Sequence, residues 1–308
     1  MTFPLYDTVI IGSGAAGYTS ALYAVRYKLK TLVIGNQEGG QSALAHDVEN
    51  YPGFESIKGP ELMQKFKAHA EKYGAEMKAD EVKEIIQNED GTFSLPLSFS
   101  GETVTTKTII LAVGTKTRKL GAKGEEKMDG KGVTYCAACD GFFFRNKVTA
   151  VMGGGDSAAT AALYLAEMCP KVYIFVRKDA MRAEPFWIEQ ITKKENIEVV
   201  FNAAIDEFVG EKSLEKVVLA DGTEYTDIAG VFIEIGSDPN TALVEKFGLE
   251  KDKQGFLVVK EDQGTIVPGL YAAGDVTNQS NHFHQIATAI GEAAVAANSV
   301  FEYVSKGK

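Results

Sequence analysis

Short β-branched apolar runs recur along the chain, each followed by a glycine cluster and then by a stretch rich in small residues. The first run, Thr8 to Ile11, leads into Gly12-Ser13-Gly14-Ala15-Ala16-Gly17. A small-residue stretch from Ala15 to about Tyr27 follows, and then a second apolar run, Thr31 to Ile34. Short apolar runs bounded by turn residues predict buried strands, and the longer stretch between them predicts a helix. Strand, tight turn, helix, strand is the opening of a doubly wound parallel sheet.

The same pattern returns in mid-chain. Val148 to Met152 is apolar, Gly153-Gly154-Gly155-Asp156-Ser157-Ala158 forms the turn, Ala159 to Glu167 suits a helix and Lys171 to Val176 a strand. Each start fits one domain of ordinary size. A third glycine-bearing run, Gly269-Leu270-Tyr271-Ala272-Ala273-Gly274-Asp275, precedes an alanine-rich helical pattern from Gln285 to Val304. A plain tandem of two domains has no use for it, so it is read as the first domain resuming. The predicted fold is α/β, with two Rossmann-like dinucleotide-binding domains, the second inserted into the first. The segments are 1–117, 118–243 and 244–308, with crossovers where turn residues cluster, near Thr115 to Lys119 and Asp238 to Thr241.

Composition changes this picture little. The 308 residues are 45% hydrophobic and 24% charged, enough for ordinary cores. A net charge of -10 disfavours wrapping a nucleic-acid backbone. No apolar run reaches the roughly 18 residues of a membrane helix. Met1 to Tyr6 lacks the pattern of a secretory leader, so a cytoplasmic protein without membrane partners is expected.

Gly12, Gly14 and Gly17 match G-x-G-x-x-G. In that motif the first glycine allows the tight turn, the second admits a pyrophosphate and the third lets helix pack on strand. Ala15 and Ala16 then begin the helix, whose N–H groups favour an anion. An acid about 20 residues further on ordinarily holds a ribose hydroxyl. Here Gly35 and Asn36 follow Ile34, and Glu38 is the nearest candidate, acting from a loop. The second cradle, Gly153, Gly155, Asp156, Ser157 and Ala158, is the G-x-G-x-x-A variant. No acid ends its second strand. Arg177, Lys178 and Arg182 follow instead, and basic residues there favour a 2′-phosphate over a bare ribose. A solvated basic turn is the plain alternative.

The three cysteines are too few for a disulfide scaffold. Cys136-Ala137-Ala138-Cys139-Asp140 places two of them at redox spacing beside a carboxylate able to carry a proton. A zinc knuckle needs about four ligands, and no second C-x-x-C or Cys/His pair lies near in sequence. Cys169 has no partner in sequence and is expected to be structural and inert.

Taken in order, the first cradle, C-x-x-C-D-G, the second cradle and Ala272-Ala273-Gly274-Asp275 resemble the low-molecular-weight thioredoxin reductases over essentially the whole chain. Glu38-Gly39-Gly40-Gln41, Val48-Glu49-Asn50-Tyr51-Pro52-Gly53, Ala112-Val113-Gly114-Thr115 and Ile235 to Thr241 agree with that resemblance. It implies that the first domain binds FAD, with Gly12, Gly14 and Gly17 at the pyrophosphate. Gly40, Gln41, Asn50, Ala112, Gly114, Gly274 and Asp275 would meet the rest of the cofactor, with His284-Gln285-Ile286 near the isoalloxazine. It implies that the inserted domain binds NADPH and carries the disulfide. Cys139 would face the flavin, Cys136 would attack a thioredoxin-like partner, and Asp140 would serve as acid and base. The family is typically homodimeric, and it rotates the inserted domain about the two crossovers to serve flavin and partner in turn.

The match departs at the second nucleotide site. The family's His-Arg-Arg start and final Arg become Val176-Arg177-Lys178 and Arg182, and Lys178 loses the two-pronged donor of Arg. Pro185 is placed to reshape the helix that follows. His284 replaces an Arg or Lys common in relatives. Two alternatives stay open: a reductase of the same fold fed by ferredoxin or NADH, and a non-catalytic flavin redox sensor.

Overall fold

The computed structural model describes residues 5–45 and 47–307; Met1 to Pro4, weighed above for a leader, lie outside them. The chain forms two compact units, Met1–Lys116 with Asp238–Lys308, and Thr117–Ser237. The second unit is an insertion in the first. The return crossover lies at the expected Asp238 to Thr241, and the inserted unit ends at Ser237, before residue 243. Ser237–Pro239 pairs with the outgoing Thr115–Thr117, the Asn240 N–H donates to Gly114 O (3.0 Å), and Val244 is already buried in the first unit's core.

The elements of the first unit before the insertion are β1 (Tyr6–Ile11), α1 (Ala15–Arg26), β2 (Thr31–Ile34), α2 (Gly59–Lys72), β3 (Glu76–Lys78), β4 (Ile86–Gln87), β5 (Phe93–Pro96), β6 (Thr103–Leu111) and the crossover strand β7 (Thr115–Thr117). The inserted unit comprises α3 (Glu125–Met128), β8 (Val133–Thr134), α4 (Ala137–Asp140), β9 (Val148–Met152), α5 (Asp156–Ala166), β10 (Lys171–Val176), α6 (Pro185–Thr192), β11 (Ile197–Phe201), β12 (Ile205–Gly210), β13 (Leu214–Leu219), β14 (Glu224–Tyr225) and β15 (Ile228–Ile233). The crossover strand β16 (Ser237–Pro239), β17 (Leu270–Ala272) and α7 (Ile286–Ser305) complete the first unit.

In the first unit the strand order is β3-β2-β1-β6-β5-β4, with β17 also on β6. Strands β3, β2, β1, β6 and β17 run parallel, while β5 and β4 add antiparallel. The nine-residue β6 pairs with β5 through its first half and with β17 through its second. Parallel strands are buried on both faces, which explains why β1 and β2 read as unbroken apolar runs. Ile10, Val33 and Ile110 pack with alanines of α1 and α7, and Val9, Leu32 and Ile109 pack on the opposite side.

In the inserted unit the order is β11-β10-β9-β15-β8, all parallel, with a separate antiparallel sheet β12-β13-β14. Val151, Ile174 and Phe232 pack with α5, while Ala150, Phe175 and Val231 pack with the residues of the three-stranded sheet. Pro185 begins α6 at its first position, where the missing N–H costs nothing, and does not distort it.

Close backbone approach fixes both strand–helix turns. A Cβ on Gly17 would lie 1.9 Å from Gly12 O, whereas one on Gly155 would meet nothing within 4 Å. Gly17→Ala should therefore cost about 1–3 kcal/mol or more of stability, read as a lower urea midpoint. Gly155→Ala should shift that midpoint far less.

Candidate active site

Three glycine-bearing segments of the first unit converge on the C-terminal ends of its parallel strands. A Cβ on Gly12 would meet Ala112 O at 2.1 Å, so β1 and β6 end against each other there. The N-cap of α1 is Gly14, which offers no side chain to the helix end, and the first turn carries no acidic residue. The space beside Gly14 is bordered by Gly39 O and Gly40 Cα, 3.8 and 3.9 Å from the position of a Cβ. Gly274 is tight against Ala16, since its Cβ would stand 2.9 Å from that of Ala16. An uncapped helix of twelve residues with an open glycine at its start is a ready anion site.

Side chains arranged around this cradle are held by one another. Gln41 Nε2 donates to Thr115 O (3.1 Å), beside Gly114. Asn50 Nδ2 donates to Gln285 Oε1 (2.9 Å), and Gln285 caps α7 in a reciprocal box with Thr288, directly before Ile286. The His284 ring lies against Phe256, with centroids 4.9 Å apart. Burial pushes the Asp275 carboxyl up, the nearby His284 opposes this and Glu292 adds to it. Among the described residues no side chain donates a hydrogen bond to Asp275, so its carboxyl is free to meet ligand hydroxyls.

Two findings here were not foreseen. Glu292, 8% exposed on α7, accepts from Gly274 N–H (2.9 Å), Thr277 Oγ1 (2.9 Å) and Ser280 Oγ (2.7 Å). It clamps the turn that presents Asp275. Its only signal in the sequence was an acid amid the alanines of that helix. Glu38, expected to reach a ribose from its loop, has a carboxylate oxygen 2.6 Å from Lys67 Nζ. That ion pair ties its loop to α2 and leaves the second carboxylate oxygen for a ligand.

The inserted unit holds the redox pair. Cys136 and Cys139 are joined, with Cα atoms 5.3 Å apart. Cys136 is the N-cap of the single-turn α4 and its sulfur accepts from the Cys139 N–H (3.1 Å). Cys139 is exposed and Cys136 half-buried. Asp140 ends the same turn, and its carboxylate accepts a hydrogen bond from Thr134 Oγ1. Cys169 is buried apart from the pair, and burial pushes its thiol up, away from the reactive thiolate.

The second cradle lies in this unit too. A Cβ on Gly153 would meet Glu234 O at 2.2 Å, so β9 and β15 end in close approach. α5 begins at Asp156, three residues before the expected start, and its N-cap Gly155 supplies no side chain. Ala158 is fully buried under the turn and Ser157 is exposed. The segment after β10 folds back over the cradle: Arg182 N–H donates to Gly154 O (2.6 Å) and Glu184 N–H to the Asp156 carboxylate (2.7 Å). This brings Arg182 to the glycine turn. Arg177, Lys178 and Arg182 are exposed, and among the described residues none is paired with a carboxylate.

Residues 6–293 match the pyridine nucleotide-disulphide oxidoreductase family. The thioredoxin reductase of Listeria innocua is 40% identical over 310 residues, covering 99% of this chain and 95% of the relative. The chain belongs to the low-molecular-weight thioredoxin reductases of that family. The Lactococcus lactis thioredoxin reductase structure is 38% identical, with a TM-score of 0.92 over 98% of this chain and 99% of that one. A ferredoxin-flavin thioredoxin reductase from Clostridium acetobutylicum is 34% identical, with a TM-score of 0.53 over 98% and 99%.

A flavoprotein disulfide oxidoreductase of this family needs room for a flavin and a pyridine nucleotide, and the residues fit both. Each unit offers an uncapped helix start with an open glycine, and the first adds a carboxyl without a side-chain donor. Among the described residues no helix is long and apolar enough to cross a membrane.

Glu234, at the end of β15 beside the second cradle, carries a testable charge. Burial pushes its carboxyl up to about 8 from 4.5. Between those values the folded protein holds a proton that the unfolded chain has released. Stability therefore falls as pH rises from about 4.5, and the loss is complete above about 8. Glu234→Gln should leave the melting temperature nearly unchanged at pH 4 and raise it at pH 9.

Proposed function

We propose that this chain reduces the disulfide of thioredoxin or a similar dithiol protein, with electrons from NADPH passing through FAD and the Cys136–Cys139 disulfide. The observation that carries the reading is the joined pair on a single turn that exposes Cys139, in a unit that also bears an uncapped dinucleotide cradle. Relatives named thioredoxin reductase along nearly the whole chain support it.

When bound, FAD and NADPH supply hydride transfer that no side chain performs. The chain's own residues bind, orient and move protons. Gly12, Gly14 and the first turn of α1 hold the FAD pyrophosphate, while Asp275 and Glu38 accept from its hydroxyls. Gly153, Gly155 and the first turn of α5 hold the NADPH pyrophosphate, and Arg177, Lys178 and Arg182 take its 2′-phosphate. Cys139 is the flavin-facing sulfur. Asp140 carries the proton at that sulfur as the disulfide opens. Cys136, as a thiolate, attacks the partner disulfide, because the thiolate is the nucleophilic form.

Cys136→Ser should keep flavin reduction by NADPH and abolish thioredoxin reduction. Turnover with thioredoxin retained in that variant would exclude Cys136 as the attacking sulfur.

A second reading concerns only the donor. Val176 is 3% exposed, and its Cγ1 lies 3.0 Å from where a Cβ on Gly154 would stand, so it packs against the cradle without a polar contact. Lys178 is a point charge where Arg would present a planar fork. The ferredoxin-flavin relative makes ferredoxin the donor to test against NADPH, with NADH as the third. Anaerobic titration followed by flavin absorbance decides between them. NADPH should bleach the flavin rapidly and NADH poorly. Arg177→Ala and Arg182→Ala should each raise the KM for NADPH about tenfold or more, the loss of one charge-assisted bond, and barely change it for NADH. Bleaching by reduced ferredoxin alone would exclude the NADPH assignment.

A further inference from the structure

We propose that Thr134 is the positioning residue that aims the Asp140 carboxyl at the redox sulfurs, an inference that rests on the acid–base reading of Asp140. Asp140 ends a helix of four residues, too short to hold a side chain in place unaided. Its backbone is tied to the cysteine turn, since Asp140 N–H donates to Cys136 O (3.1 Å). The Cys139 N–H donates to the Cys136 sulfur (3.1 Å), and the disulfide itself links the two ends of the turn. When the disulfide opens, the covalent link across the turn is lost. A proton carrier fixed only by the turn would move with it.

Thr134 supplies an anchor from outside the turn. It is 5% exposed and is the last residue of β8, where Val133 and Thr134 pair with Val231 and Phe232 of β15. That strand also pairs with β9 in the core of the unit's parallel sheet. Being β-branched, Thr134 has few rotamers open to it. Its Oγ1 donates to Asp140 Oδ2 and accepts from the Cys136 N–H at a longer 3.4 Å. One hydroxyl thus ties the carboxyl and the N-terminal end of the cysteine turn to a rigid strand. A hydroxyl donates once and accepts too, so it serves a carboxylate by donating and a carboxylic acid by donating or accepting. The anchor therefore persists in both proton states of the reaction.

The neighbouring polar groups are committed elsewhere. Tyr135, next in the chain, donates to Glu125 (2.7 Å). The same Glu125 carboxylate accepts from the N–H groups of Leu120 and Gly121. Among the described residues the Asp140 carboxylate accepts from no side chain besides Thr134.

Dithiothreitol opening the disulfide tests this without either nucleotide cofactor as a reactant. A dithiothreitol thiolate forms a bond to the Cys136 sulfur, and the Cys136–Cys139 bond breaks with Cys139 as the departing sulfur. The departing sulfur takes its proton from the Asp140 carboxyl, which regains one from water. The second dithiothreitol thiolate then displaces the other cysteine, so one protein disulfide is reduced and one dithiothreitol is oxidised to its cyclic disulfide. The full-length flavoprotein would be mixed with dithiothreitol at neutral pH, quenched with an alkylating reagent and read by mass. Asp140→Asn should slow opening about a hundredfold, within the usual range for a positioned acid. Thr134→Val, similar in shape, should slow it about tenfold. Thr134→Ser, which keeps the hydroxyl, should stay within about twofold of the native rate. The double variant Thr134→Val with Asp140→Asn should be no slower than Asp140→Asn alone, because the two act as one unit. Thr134→Ala, with retained flavin as the check of folding, should repeat the Val result.

Native speed in Thr134→Val beside a slow Asp140→Asn would overturn the role of Thr134 and spare that of Asp140. Full additivity in the double variant would do the same. Native speed in Asp140→Asn would sink the acid–base reading itself, and this inference with it.

Discussion

Both nucleotide cradles depend on the same close contact of backbone with backbone at the ends of neighbouring parallel strands. β1 meets β6 at Gly12 and Ala112, and β9 meets β15 at Gly153 and Glu234, each at a distance that excludes a side chain. With strands drawn in this closely, the following helix starts above the sheet edge without a capping side chain. Its first N–H groups are left facing open space. The anion site is thus a consequence of the packing. The same contacts that seat α1 and α5 on their sheets leave their positive ends available.

The rest of the candidate flavin site is a problem of holding loops still. Asp275 stands on a turn between β17 and α7, and such a turn has no ladder of its own. Glu292 supplies three hydrogen bonds from α7, which packs along α1. Bonds to an ionised acceptor are stronger than neutral ones, and a buried carboxylate with three donors has its desolvation offset locally. The Asn50–Gln285 bond and the Gln285–Thr288 capping box fix the entry to the same helix. One helix therefore orders two loops that are far from the glycine motif in sequence.

Much of this was legible beforehand. Apolar runs bounded by turn residues marked β1, β2, β9 and β10, because strands buried on both faces leave no polar alternation to confuse the pattern. The third glycine run disclosed the insertion, since a tandem would leave it without a sheet to join. What could not be read was whatever depends on side chains meeting across long sequence gaps. Glu292 lies on a helix where an acid ordinarily faces water, and only the fold turns it inward. Thr134 is one more β-branched residue at a strand end until α4 brings Asp140 beside it. Pro185 was expected to reshape the following helix, and only its place at the first position of α6 shows that it does not. The return crossover falls where turn residues cluster near Asp238 to Thr241, but the end of the inserted unit at Ser237 rests on the pairing of β7 with β16, which is invisible locally.

On the proposed reading the chemistry is carried by one short turn of the inserted unit. A four-residue helix is near the minimum that makes any intrahelical bond, and its two sulfurs must separate and rejoin in every cycle. Placing the cysteines on α5 or on a central strand would fix them well and forbid that change. A flexible turn, however, would carry Asp140 away from the sulfur it serves. The structure meets both requirements by dividing the work between chain segments. On this proposal the turn bearing the sulfurs rearranges while the carboxyl stays referenced to β8 through Thr134, which pairs with β15. Proton transfer needs its partners within hydrogen-bond reach at the moment the bond breaks. A threonine on the sheet edge is the shortest connection from a rigid element to that place.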